Sequence, residues 1–286
     1  MQIIVPVYRA LPALQRLVGA LRKTLGAAER VLFCDDASPE PEIIAYLNSV
    51  CGDAPFDVQV VRRERNLGFV GNVNAAFAET GAADVVLLNS DTLPGVGWLQ
   101  RLRACFDADP RIATATPWSN NAEICSLPDL CRAVPLPDDP DRWARACAEA
   151  CVGEYPDLPT GVGFCMAIRR ACLDRIGNLD AETFGRGYGE ENDFCLRAHA
   201  HGWRNVLCAD AFVGHEGGAS FGLEGLKPGG GNLTRLLNRY PDYNRSVAEF
   251  IMADPIRPLR QRAIERYVAL AAGQPDATGL QGKLFH

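Results

Sequence analysis

The chain has 286 residues, 48% of them apolar, and its Lys+Arg 29 against Asp+Glu 35 leave a net charge of −6. That length suits one large α/β domain or two small ones, and there is no cationic excess with which to neutralise a nucleic-acid backbone, so a general nucleic-acid partner is excluded. No run approaches the ~18 apolar residues of a membrane span, and the 11 cysteines, odd in number and without a Cys-x-x-Cys pair, read as free thiols in apolar segments.

Met1 to Val7 lack the charged start and long apolar core of a secretory signal, and free thiols fit a reducing cytoplasm. Ile3 to Tyr8 reads as a short buried strand. Leu14, Leu17, Val18, Leu21 and Leu25, with Arg16, Arg22 and Lys23 between them, predict an amphipathic helix. Arg30 to Cys34 is a second strand, ending on Asp35 and Asp36. A helix over 41–50, a third strand over 58–61, and a loop and helix over 66–79 follow. Val85-Val86-Leu87-Leu88 fits a strand buried on both faces and ends on Asn89-Ser90-Asp91. A helix over 97–107 completes an alternation that predicts a parallel sheet with right-handed crossovers. No glycine stands between Pro6 and Pro12, so the Gly-x-Gly-x-x-Gly turn is absent after the first strand, and there is no Walker-type loop.

Ile112 to Thr116 is a further strand, leading into Trp118, Asn120 and Asn121; 126–141 is a Pro- and Asp-rich surface loop. A short helix over 141–151, a strand over 161–169 and a helix over 170–176 come next. After the glycine loop 184–189, Glu190, Glu191 and Asp193 open a helix to about His201, the favourable end for acids. Short extended pieces at 206–208 and 211–213 end at His215. Gly214 to Gly231 holds 8 glycines and suggests a mobile lid. Helices over 232–238 and 255–272 follow, the second basic along one side, and the tail from Gly273 reads as disordered.

In a parallel α/β sheet the carboxyl ends of the strands carry the ligand site. Asp91 there can hold a hard divalent cation, and the cation can hold phosphate; it can equally start a turn before Pro94 and Gly95. Asp35 and Asp36 can be a capped turn, Glu190 and Glu191 an acidic first turn, and His215 a solvated loop histidine. Trp118 and Trp143 are sugar platforms or core residues. Four such coincidences at strand and loop ends favour a site.

The ordered set resembles the family 2 glycosyltransferases of the GT-A fold. It comprises Ile4 to Tyr8, Cys34 to Pro39, Arg65 to Phe69 with Asn72, Leu88 to Thr92, Gly189 to Asp193 with Arg197, and Gly214 to Phe221. Within the family the chain is most similar to bacterial rhamnosyltransferase-like enzymes and builders of surface polysaccharide. The resemblance implies a GT-A type, Rossmann-like domain, its mostly parallel sheet flanked by helices, with a C-terminal helical extension. Residues 1–222 form the catalytic domain, 1–116 taking the nucleotide-sugar and 117–222 the acceptor; 223–286 are lid, helices and tail. It implies that Asp36 accepts from the base N–H, with Pro6, Val7 and Tyr8 lining the base pocket and Asp35 supporting it, that Asn66, Gly68 and Asn72 shape the ribose side, and that Asn89, Ser90, Asp91 and Ser220 attend the diphosphate. Asn89 replaces the first acid of the family's Asp-x-Asp, so Asp91 and His215 are the protein ligands of a Mg²⁺ or Mn²⁺ ion. Glu191 stands where the family keeps its base, with Glu190 in reserve.

The implied activity is an inverting, metal-dependent transfer from a nucleotide-diphosphate sugar to a hydroxyl of a glycan or lipid-linked acceptor, in bacterial cell-surface polysaccharide synthesis. The protein is expected to be cytoplasmic. Its basic C-terminal helix suits anionic lipid at the inner face of the membrane as well as it suits packing on the domain or on a second copy. Two other classes stand beside this one. A sugar-phosphate nucleotidyltransferase needs a glycine-rich, basic signature that is missing near the first strand. A non-catalytic nucleotide- or carbohydrate-binding module has no use for Asp91, Glu190, Glu191 and His215 together.

Overall fold

The structure, a computed structural model, describes residues 1–185, 187–217 and 231–273. Its strands are β1 Gln2–Val7, β2 Arg30–Asp35, β3 Asp57–Arg62, β4 Val85–Leu88, β5 Thr92–Pro94, β6 Ile112–Trp118, β7 Cys165–Ile168 and β8 Arg204–His215. They form one sheet in the order β3-β2-β1-β4-β7-β6-β8-β5. β1 pairs parallel with β2 and β4, β2 with β3, and β6 with β8, while β7 runs antiparallel to both β4 and β6. With only β7 and the edge strand β5 reversed, the carboxyl ends of β1, β2, β3, β4, β6 and β8 lie on one edge, joined there by the amino end of β7.

Side chains alternate between two apolar layers, as a strand's two-residue period requires. Ile3, Val5, Phe33, Val86 and Leu88 join the helices Leu11–Thr24, Pro41–Asp53, Trp98–Ala108 and Pro140–Ala150 on one face. Ile4, Leu32, Val85 and Leu87 join Gly68–Glu79, Arg170–Ile176 and Glu190–Ala200 on the other. Helices on both faces explain why β4 is apolar throughout.

Three features depart from the sequence expectation. β8 is one continuous strand rather than two pieces: Asp210 interrupts the apolar run yet is 2% exposed, accepting from the Gly153 amide and facing Arg101 at 3.5 Å. β5 is too short to announce itself and pairs antiparallel with β8, setting Thr92 opposite His215. The helix Tyr243–Ala253 lies between the two C-terminal helices that were expected, which span Gly231–Arg239 and Arg257–Ala272.

The last helix packs on the domain. Tyr267 stacks on Trp143 with ring centroids 3.9 Å apart, and Ile256, Leu259 and Ala263 enter the first core layer. Its arginines face acids at close range: Arg262 pairs with Glu154, Arg266 with Glu149 and Arg260 with Asp254. The side that suited lipid is thus engaged with the protein. No helix of the described residues is long and apolar enough to cross a membrane, and the cysteines are free thiols. The expected disordered tail lies, from residue 274, outside the described residues.

Candidate active site

The edge where the strands end opens into a cleft of ≈ 620 Å³. Pro6, Val7 and Tyr8 at the end of β1 line it, with Asp36, Asn66, Gly68 and Asn72 beside them and Asn89, Ser90 and Asp91 beyond β4. Asp36 holds two loops together: its amide donates to the Val7 carbonyl at 2.8 Å, and its Oδ1 accepts from the Leu67 amide at 2.7 Å. Asn66 Oδ1 accepts from the Gly68 amide at 3.1 Å, and Gly68 adopts φ 73°, which glycine tolerates at no steric cost. Asn72 is buried and donates to the Cys34 carbonyl at 2.8 Å.

Asp35 does not join them on the wall. It is fully buried behind the loop, accepting from the Ser38 amide at 3.1 Å and facing Arg62 at 3.4 Å. Its carboxylate shapes the turn that presents Asp36. Ser220 and Phe221 lie outside the described residues, as does the glycine-rich lid from 218 to 230.

Asp91 and His215 meet across the cleft floor, Nε2 of the imidazole 3.5 Å from Asp91 Oδ1. The ring is fixed on every side. Nδ1 donates to the Asn121 carbonyl at 2.7 Å, Phe164 stacks on the ring with centroids 5.1 Å apart, and the Asn120 side chain binds both the amide and the carbonyl of His215 at 2.8 and 2.9 Å. Gly217, at φ 79°, passes so close that a Cβ there would sit 2.3 Å from Asn121 Nδ2. With Nδ1 donating to the Asn121 carbonyl, Nε2 is the nitrogen turned toward the Asp91 carboxylate, and a cation between them would take the place of the proton there. Burial pulls the imidazole's pKa down, but the Asp91 carboxylate and the Asn121 carbonyl outweigh it and the group ends above its ordinary value. The donor set, one carboxylate oxygen and one imidazole nitrogen, fits Mn²⁺ or Mg²⁺ completed by phosphate and water oxygens. Among the described residues no group of three or more His, Cys, Asp or Glu side chains is arranged to hold a metal ion.

The acid pair lines the same cleft. Gly189 at φ 106° starts the helix Glu190–Ala200, whose first turn carries both glutamates. Their side chains lie close enough to interact, and each keeps a buried Oε2 without a hydrogen-bond partner. Burial and then the Glu191 charge push the Glu190 carboxyl well above its ordinary range. Burial also raises Glu191, though hydrogen bonding to backbone and the neighbouring Glu190 offset part of that. The two titrate as a pair, with burial holding the shared proton on it above the ordinary carboxylate range. Tyr188, half-buried at φ 68°, sits where Glu191, Glu190 and Asp91 all raise its phenol after burial itself. A non-glycine residue held there is locally strained.

Residues 117–121 position His215. Trp118 and Trp143 are core residues, 0% and 4% exposed, so neither offers a sugar platform. Sequence reasoning missed the clamping role of Asn120 and Asn121, whose place at the carboxyl end of β6 is the signal that could have found it. It also missed Tyr243, Val247 and Ile251, which line the far side of the cleft.

The family model described as glycosyl transferase family 2 matches residues 2–177, ending before the acid pair. An uncharacterized protein of Mycobacterium bovis is 29% identical over 157 residues, 53% of this chain and 55% of its own length. The pre-mycofactocin glycosyltransferase of Mycobacterium tuberculosis is 27% identical over 219 residues, 75% of this chain and 42% of its own. The chain thus spans about half the length of these curated relatives. Among solved structures, GalNAc-T7 with UDP, GalNAc and Mn²⁺ superposes with a TM-score of 0.62 at 16% identity, over 93% of this chain and 54% of the other. The mannosyltransferase PcManGT of Pyrobaculum calidifontis, with GDP-Man and Mn²⁺, gives 0.55 at 16% identity, over 98% and 78%. These two likenesses share the fold.

Proposed function

The chain belongs to glycosyl transferase family 2, and from that premise we propose that its cleft moves a sugar from a nucleotide-diphosphate donor to an acceptor hydroxyl with inversion. The observation that carries this reading is one cleft holding an Asp91–His215 pair 3.5 Å apart on its floor and a proton-sharing carboxyl pair on its wall. An inverting transfer needs those two groups: one to manage charge on the leaving diphosphate, one to take a proton on the acceptor side.

Pro6, Val7, Tyr8 and Asp36 take the nucleotide base, with Asn66, Gly68 and Asn72 on the ribose side. Asp91 and His215 would hold a divalent cation, which would supply Lewis-acid relief of the charge on the departing diphosphate. Glu191 accepts the acceptor's hydroxyl proton as that oxygen bonds to the anomeric carbon; the bond to the diphosphate breaks, and its electron pair leaves with the nucleoside diphosphate. Glu190 stays protonated and, lying beside Glu191, orients its carboxylate. Burial makes Glu191 a better base than a solvated glutamate, and a positioned base contributes about 10²–10⁴-fold in rate. Residues 1–116 supply the donor side, 117–222 the metal partner and base. The acceptor is a glycan or lipid-linked hydroxyl of a cell-surface polysaccharide pathway.

UDP-, dTDP- and GDP-sugars assayed for transfer and hydrolysis, with Mn²⁺ and with EDTA, test the reading. Release of nucleoside diphosphate from one of them that EDTA abolishes supports it. If no donor binds even with Mn²⁺, it falls.

A further inference from the structure

The acceptor side of the cleft is built unlike the rest. Leu233 and Leu236 of the helix Gly231–Arg239 line it, as do Tyr243, Val247 and Ile251 of the next helix. The spacing of the last three, i, i+4 and i+8, sets them in one stripe along a single helix face, about 12 Å long at 1.5 Å per residue. A surface helix normally buries such a stripe. Yet the stripe is only partly covered: Val247 is half-buried against the first core layer, no residue of the helix Tyr243–Ala253 is fully buried, and at its outer end Ile251 and Met252 are 37% and 78% exposed.

The stripe has a direction. Tyr243, at its inner end, lines the cleft together with Thr160 and Glu191 and lies close enough to feel the Glu191 charge. Ile251 is at the open end. Whatever brings a hydroxyl to Glu191 from this side therefore lies along Val247 and Ile251, and these side chains offer methyl and methylene surface with no charge and no hydrogen-bonding group. Burying aliphatic surface there removes it from water at roughly 25 cal/mol per Å².

We infer that the acceptor is amphipathic: its reacting sugar or hydroxyl sits at Glu191 and an aliphatic chain attached to it runs outward along the Tyr243–Val247–Ile251 stripe. The inference rests on the transferase reading, since it takes the Glu191 side of the cleft as the acceptor side. The chain is aliphatic rather than aromatic because, beyond Tyr243, the stripe and the neighbouring Leu233 and Leu236 present no flat ring for stacking.

Calorimetry with n-octyl β-D-glucopyranoside and methyl β-D-glucopyranoside, both below the micellar range, tests it on the full chain. The octyl glycoside should bind at least tenfold more tightly than the methyl one. Val247→Asn and Ile251→Asn should each bring the two within about twofold, with unchanged circular dichroism and unchanged Mn²⁺-dependent UDP or GDP binding. No saturable octyl binding, equal affinities in the wild type, or variants that keep the gap would each overturn the inference. The last is the result expected if residues 218–230 or a second copy of the chain cover the stripe. Failure of nucleotide binding in the wild type would strike the transferase reading instead, so the two failures are told apart.

Discussion

The proposed donor side and the proposed acceptor side of this cleft are assembled by different means. On the donor side each group sits at or just beyond the end of a strand or in the loop that follows: Val7 after β1, Asp36 after β2, Asp91 after β4, and His215 at the end of β8. The sheet ladder fixes those ends, and short hydrogen bonds from Asp36 and Asn120 fix the loops between them. On the acceptor side the wall comes from helices near the end of the chain, held by a few polar ties. Asn232 donates to the Phe184 and Gly187 carbonyls at 2.7 Å, and Arg239 and Tyr240 reach the buried Asp193 at 2.6 and 3.0 Å. Asp193 also accepts from Arg197 on its own helix. Groups that must be placed to fractions of an ångström are on rigid strand ends; the surface that meets the acceptor is docked onto the helix that carries the acids.

The sharpest way to separate the two sides is Glu191→Gln. It should lower transfer by about 10²–10⁴-fold and leave Mn²⁺-dependent nucleotide binding within twofold, read by calorimetry beside a transfer assay. If Glu190→Gln does this instead, the roles of the two acids are exchanged. The pH profile carries the same information. Glu191 must be ionised to act and burial raises its pKa, so activity should fall, as pH drops, at a higher pH than an ordinary solvated glutamate would give.

Asn120→Ala tests rigidity on the donor side. It frees the backbone of His215 at both its amide and its carbonyl and should weaken Mn²⁺ binding about 10–100-fold, the usual cost of losing a partner that orients a ligand. An unchanged Mn²⁺ titration would mean that the β5–β8 pairing alone holds the histidine. The smallest effect is expected from Arg239→Ala on the other side. Arg239 is partly exposed and Asp193 keeps Arg197 and Tyr240, so the loss should be about 1 kcal/mol, a Tm about 2–4 °C lower. Acceptor KM should rise while nucleotide affinity holds; weakened binding of both acceptor and nucleotide would show the two sides to be one unit.

The same contrast governs what the sequence revealed. Strand ends were legible because an apolar run stopping on Asp36 or on Asn89-Ser90-Asp91 marks both the element and its outlet. The partnership of Asp91 with His215 followed from the family resemblance, since the residues are 124 apart and nothing local joins them. Asp35 is expected to support the pocket that Asp36 serves, and its burial behind the loop, where it shapes the turn before Asp36, is legible only once the strand end is placed. The tryptophans were ambiguous for a related reason: one ring type serves core and sugar alike, and only burial separates them. The stripe of the helix Tyr243–Ala253 does carry a helical period, but between Pro241 and Pro255 it is too short to stand out, and its role depends on where the tertiary fold docks it.

The central claim is that Asp91 and His215 bind the donor diphosphate through a divalent cation. Calorimetric titration of UDP and GDP into wild type and Asp91→Ala, each with Mn²⁺ and with EDTA, tests it most directly. The account predicts that Mn²⁺ tightens nucleotide binding in the wild type and that this gain disappears in Asp91→Ala. A variant that keeps the full Mn²⁺-dependent gain would contradict it and remove Asp91 from the metal site.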